Sequence, residues 1–150
     1  MLLDVNDKKL TQEYDDFIAR SDYGNFYQSR QWSEIKNNWK RHYFYLKDQG
    51  EIRAAMSVLS VSDSLAGKEF FYAPRGPVCD LADLETVTTL IDEVKAYAAL
   101  NNGFLLRIDP EVEDDEELVR RYAQAGFNFL KNPAMSSQPL MSLILKINGR

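Results

Sequence analysis

The sequence predicts a single mixed α/β domain, a sheet flanked by helices, and three observations carry that prediction. Two aromatic or apolar runs in the first half are separated by the turn sequence Asp48-Gln49-Gly50, the signature of an antiparallel hairpin. Strand-like and helical periodicities alternate in the second half, as βαβ connections require. The length of 150 residues, with 45% hydrophobic and 27% charged side chains, suits one buried core and leaves little room for a second.

The elements follow in order. Thr11 to Ala19 has Tyr14, Phe17 and Ile18 at helical spacing after Thr11, which predicts an amphipathic helix capped by that threonine. Asp22 to Asn25 breaks it. Ser29 to Lys40 is expected to be a second helix, because Trp32, Ile35 and Trp39 recur at i, i+3 and i+7 and would share one face with Lys36. Arg41 to Lys47 and Ile52 to Val61 are the hairpin strands. Ser62 to Gly67 is a polar turn, and Phe70, Phe71 and Tyr72 begin a third strand that stops at Pro74.

Leu81 to Leu100 is the clearest helix, with Leu84, Val87, Ile91, Val94 and Ala98 in its apolar stripe and Asn102 or Gly103 as its stop. Phe104 to Ile108 is a strand ended by Asp109-Pro110. Glu116 to Ala125 is helical, with Leu118 and Tyr122 on one face and Gly126 ending it. Phe127 to Leu130 and Leu140 to Ile147 complete the sheet.

Composition excludes several functions. Eighteen basic against 23 acidic residues give a net charge of -5, so the chain as a whole is not a generic polyanion binder. One cysteine, Cys79, and one histidine, His42, rule out a disulfide framework and a structural zinc site, and make a reducing compartment the expectation. No apolar run is long enough to cross a bilayer. His42 reads as an ordinary surface or packing residue and Cys79 as a buried, inert thiol. There is no glycine-rich phosphate cradle of the P-loop or dinucleotide type, and no coenzyme A loop.

Three places attract a functional reading. Lys36, on the expected tryptophan face, would snorkel to water, stack on an indole or point into a cleft where an anion replaces water; with Arg30, Lys40 and Arg41 it forms a basic segment opposed only by Glu34. In Tyr72-Ala73-Pro74-Arg75-Gly76-Pro77-Val78, Arg75 lies in a stretch with few backbone states, which suits either a guanidinium fork for carboxylate or phosphate, or a structural ion pair. Asp109 stands where a strand ends, a usual place for functional side chains in open sheets, and equally a turn-forming position before proline. The acidic run after it lacks calcium-loop spacing, and its carboxylates suit the start of the helix near Asp115.

These pieces, in this order, resemble the FemABX family, the peptidyltransferases that build the interpeptide bridge of bacterial peptidoglycan. The matching stretches are Asn25-Phe26-Tyr27-Gln28-Ser29 with Trp32 and Lys36, then Tyr72 to Asp80, Leu106-Arg107-Ile108-Asp109-Pro110, Gly126-Phe127 and Gln138-Pro139. The resemblance implies a GCN5-related acetyltransferase (GNAT)-like fold, the first of two such domains in tandem. It implies transfer of an amino acid from aminoacyl-tRNA to the stem peptide of a UDP-linked or lipid-linked muramyl-pentapeptide precursor, with no other cofactor and no metal. Lys36 would bind the precursor, with Trp32, Tyr72 and Arg75 shaping the same site and Asp109 the candidate proton acceptor. The expected location is cytoplasmic, with any membrane contact peripheral at the inner face. A non-catalytic module that needs a partner domain, or a small-molecule N-acyltransferase, are the other readings of the chain.

Overall fold

The computed structural model describes residues 1–110, 115–129 and 142–147. A six-stranded sheet runs in the order β1-β2-β3-β4-β6-β5. Its strands are β1 (Lys40–Asp48), β2 (Glu51–Ser62), β3 (Glu69–Pro74), β4 (Gly103–Asp109), β5 (Asn128–Phe129) and β6 (Leu143–Lys146). The hairpin β1–β2 and the pair β2–β3 are antiparallel; β3 and β4 are parallel; β6 is antiparallel to both β4 and β5. The expected strand residues Leu130, Leu140 and Met141, part of the acidic run (residues 111–114) and the Gln138-Pro139 motif lie outside the described residues.

The helices are α1 (Lys8–Arg20), α2 (Arg30–Ile35), α3 (Leu84–Leu100) and α4 (Glu116–Gln124), with a 3-10 turn at Phe26–Gln28 before α2. One sheet face packs on α3 and α4 through Met56, Val58, Phe71, Leu106, Ile108, Leu90, Val94 and Tyr122. On the other face α1 seals the hairpin half, setting Tyr14 and Ile18 against Tyr43, Tyr45, Ala55 and Val78. Alternation along the strands decides which side chain goes to which layer. Phe71 and Ala73 face α3, while Tyr72 turns to the opposite side.

Three helix boundaries differ from expectation for identifiable reasons. The α1 helix starts at Lys8 because the Asp7 carboxylate accepts the Leu10 amide (3.0 Å), so the cap is Asp7; Thr11 is a buried residue of the helix itself. The α2 helix stops at Ile35, not at Lys40. Lys36 leaves helical geometry at φ -86° and ψ 56°, and Asn37-Asn38, poor helix formers, carry the chain round so that Trp39 packs edge-on against Phe70 at 6.3 Å. The expected common face of Trp32, Ile35 and Trp39 therefore does not form, and Ile35 is 67% exposed. What α2 turns inward is Ser33, whose hydroxyl meets the Tyr43 hydroxyl at 2.6 Å. Arg30 ties α2 to α1 by a two-pronged pair with Asp15 (2.8 and 2.7 Å).

The α3 helix begins at Leu84 with Asp83 as its cap, three positions after the expected Leu81, and ends in a left-handed Asn102 at φ 61°. Asp83 accepts both the amide and the hydroxyl of Thr86 (3.2 and 2.7 Å), which hold its carboxyl below its ordinary range, so the end of the helix already carries a negative charge. In α4, Asp115 caps the Leu118 amide at 3.0 Å. Among the described residues no helix is long and apolar enough to cross a membrane, and no cluster of histidine, cysteine and carboxylate side chains could hold a metal ion.

His42 lies on the α3 side between the rings of Phe71 and Tyr97, at 5.5 and 5.1 Å, with its Nε2 at 2.8 Å from the Ser60 hydroxyl. Burial pushes its pKa from 6.5 down to about 4, against the smaller upward pull of Glu69. The unfolded chain thus takes up this proton first on acidification. Stability is expected to be full above about pH 6.5 and to fall towards pH 4, and His42→Gln should flatten that limb in urea unfolding curves measured across the range. An unchanged slope would refute the assignment.

Candidate active site

Strands β3 and β4 are the sheet's one parallel pair among the described residues, so their C-terminal ends, Pro74 and Asp109, finish side by side. Functional side chains gather at such ends because adjacent strands deliver them without blocking the approach. Asp109 and Arg107 are two apart on β4 and so share a face, and Arg107 is the register partner of Tyr72. The Tyr72 hydroxyl donates to Asp109 Oδ2 at 2.8 Å, and Arg107 Nε donates to Oδ1 at 3.0 Å. The guanidinium carbon of Arg107 also lies 5.5 Å from the centre of the Tyr72 ring. Asp109 is buried with both oxygens engaged. Burial first, and then the bond to Asp109, raises the Tyr72 phenol to about 12.

Above this carboxylate opens a cleft of about 340 Å³, lined by Lys36, Trp32, Tyr72, Arg75 and Asp109 together with Tyr27, Trp39, Leu59 and Pro74. Every site residue expected from the sequence reaches this one cleft. Its cations lie on rings: Lys36 Nζ is 5.4 Å from the centre of Trp32, and the Arg75 guanidinium is 4.6 Å from that of Tyr27. Tyr27 and Trp32 meet edge to face at 5.3 Å, so two cations and two aromatics make one continuous wall. The opposite side is aromatic as well, with Phe70 stacked on Tyr72 at 6.2 Å and 9° and Trp39 against Phe70.

The basic segment expected around Lys36 is smaller than its composition suggests. Arg30 is committed to Asp15, and Lys40 to Glu69 at 2.9 Å. Among the described residues Lys36 has no carboxylate partner. Cys79 is buried, its thiol raised to about 12 by burial, as expected for an inert packing residue.

The loop that carries Arg75 depends on a side chain absent from the expected site, Gln28. After Tyr72 the chain leaves β2 and rejoins it at Val78, which exchanges both backbone bonds with Ala55 (3.2 and 2.8 Å). The break would orphan the Ser57 peptide. Gln28 fills it: its Oε1 accepts the Ser57 amide (2.8 Å), and its Nε2 donates to the carbonyls of Ser57 (3.1 Å) and Pro74 (2.7 Å). Gly76 leaves room for this, since a Cβ there would come within 2.8 Å of the Gln28 amide. The sequence signal was Gln28 in the matched motif, but a polar residue beside an exposed phenylalanine and tyrosine gives no sign of being wholly buried.

A model of the FemAB family matches residues 10–125, a span that contains all of these side chains. The chain belongs to the FemAB family. Among its relatives is the UDP-N-acetylmuramoylpentapeptide-lysine N(6)-alanyltransferase of Weissella viridescens, 41% identical over 128 residues, covering 84% of this chain and 37% of the relative. The lipid II:glycine glycyltransferase of Staphylococcus aureus (strain MRSA252) is 28% identical over 107 residues, covering 70% of this chain and 25% of that one. The chain therefore spans between a quarter and two fifths of these FemAB relatives. The crystal structure of FemX superposes with a TM-score of 0.73 at 22% identity, covering 86% of this chain and 32% of the other. The GNAT domain of S. lividans PAT does so at 0.64 and 9% identity, covering 97% of this chain and 88% of that one. The fold is that of the GNAT acetyltransferases, as the resemblance implied.

Because the three buried polar groups served by Gln28 would each lose a partner, Gln28→Ala is expected to lower unfolding free energy by about 3 kcal/mol or more in urea denaturation. A loss below about 1 kcal/mol would show that the break is satisfied some other way.

Proposed function

We propose that this chain is the precursor-binding, GNAT-like first domain of an aminoacyltransferase that moves an amino acid from aminoacyl-tRNA to the stem peptide of a UDP-linked or lipid-linked muramyl-pentapeptide, in interpeptide-bridge synthesis. The observation that carries this reading is the cleft itself, where Lys36 and Arg75 line an aromatic wall next to the Tyr72–Asp109 pair. Cations resting on rings at an open mouth suit the diphosphate common to both precursor types, and the rings suit its neighbouring sugar or base. FemAB membership and two relatives named for UDP-linked and lipid II substrates support the same class. Both proposed substrates place the work in the cytoplasm, at most peripheral to the inner membrane face. The second GNAT-like domain would complete the cleft and provide the surface for tRNA.

The reaction is aminolysis of an ester. The acceptor amine forms a C–N bond to the aminoacyl carbonyl, the bond from that carbonyl to the tRNA ribose oxygen breaks, the amine loses one proton and the ribose oxygen gains one. In our reading Asp109 takes the proton through Tyr72. Its carboxylate is buried behind the phenol, so the amine proton passes to the Tyr72 oxygen while the Tyr72 proton passes to Oδ2. Arg107 fixes the orientation of the carboxylate by donating Nε–H to its Oδ1. Against a small-molecule acetyl-type donor stand the lack of a coenzyme A loop in the sequence and the negative charge that Asp83 puts at the start of α3.

Lys36→Met is expected to weaken binding of UDP-N-acetylmuramoyl-pentapeptide by about tenfold or more in calorimetry, and an unchanged affinity would reject the assignment. In an enzyme completed by the second domain, Tyr72→Phe and Asp109→Asn should each cut kcat by about 100-fold with little change in KM, and the double variant should lose no more than the worse single one. Full transfer by Asp109→Asn would remove it from the mechanism.

A further inference from the structure

Arg75 is a non-glycine residue in the left-handed region, at φ 55°, in the loop between Pro74 and Val78. Side chains with a Cβ seldom rest there unless the surroundings impose it, and such residues concentrate where a site needs a group aimed against its backbone preference. One short element supplies three of the contacts around it. From the segment Asn25–Gln28, Asn25 Nδ2 donates to the Arg75 carbonyl (2.9 Å), Gln28 Nε2 to the preceding Pro74 carbonyl (2.7 Å), and the Tyr27 ring supports the guanidinium at 4.6 Å.

Asn25 works at both ends of its amide. Its Oδ1 accepts the Gln28 amide at 3.1 Å and caps the 3-10 turn, while its Nδ2 faces Arg75. The orientation of the amide is thereby fixed, since the reverse would set oxygen against a carbonyl and NH2 against an N–H. From this geometry we propose that Asn25 is a positioning residue, which holds the Arg75 backbone in the left-handed conformation so that the guanidinium lies over Tyr27 and faces the diphosphate of the precursor. This inference rests on the reading of the cleft given above. It adds a specificity of residue type: asparagine is required because the position needs an acceptor and a donor at once.

Asn25→Asp separates the two tasks, keeping the acceptor for the Gln28 amide and replacing the donor to Arg75 with an oxygen that repels its carbonyl. Asn25→Ser is the second variant, should the first fold poorly; it retains a capping hydroxyl and loses the reach to Arg75. Calorimetry of the chain with UDP-N-acetylmuramoyl-pentapeptide is expected to show a loss of about tenfold for either variant. The loss should vanish in an Arg75→Ala background and persist unchanged in a Lys36→Met background. Wild-type affinity, or an equal loss in the Arg75→Ala background, overturns the proposal. A ligand-free arm keeps it separate from the functional reading: the Arg75 Hε resonance should lie upfield under the Tyr27 ring and move downfield, out of the ring current, in Asn25→Asp. An unmoved resonance overturns the positioning claim, whereas failure of the wild-type chain to bind precursor overturns the reading of the cleft and with it the positioning role.

Discussion

Wherever a sheet strand leaves its neighbour, the peptide groups it abandons must find other partners or stay buried at a cost of about 1–3 kcal/mol each. In this chain β3 leaves β2 after Tyr72, and the abandoned Ser57 peptide is served by the Gln28 side chain as if by a short piece of strand. The rest of the site depends on that substitution. It lets the chain bulge outwards with Arg75 at its tip, lets Val78 return to Ala55, and anchors the turn before α2 that presents Tyr27, Trp32 and Lys36. Sheet pairing, loop shape and the aromatic wall are therefore one structure.

The electrostatics follow the same division of labour. Most charges near the cleft are already answered inside the domain: Arg30 by Asp15, Lys40 by Glu69, Arg107 by Asp109. Lys36 instead lies against the Trp32 ring face, an arrangement that orders a cation while its outer side faces the cleft, and the Arg75 guanidinium lies over Tyr27. The buried Asp109 presents no open oxygen of its own, and the half-buried phenol of Tyr72 stands between it and the space above.

Much of this was legible in the residues. Alternation along Phe70-Phe71-Tyr72 and the strand end at Asp109-Pro110 placed β3, β4 and the carboxylate correctly, because strand side chains take sides by simple parity. The stripe of α3 was equally readable from its core positions. The second helix was not. Its tryptophan spacing suited a longer helix, yet Trp39 gained more by packing on Phe70 at the start of β1 than by extending α2 through two asparagines. Trp32, Lys36 and Trp39 still reach one cleft, by a route that periodicity could not show. Gln28 and Asn25 were hidden for a different reason: their role arises from contacts with residues about 29 to 50 positions away, which no local pattern encodes.

The carboxylate that closes the start of α3 has a consequence for how one scaffold can host different acyl donors. A helix start with open amides is a socket for a diffusible anionic carrier. Here Asp83 places a carboxylate of the chain's own at that position, bonded to the amide and the hydroxyl of Thr86. That helix start meets an approaching anion with a negative charge, while Lys36 and Arg75 line a cleft on the sheet face opposite α3.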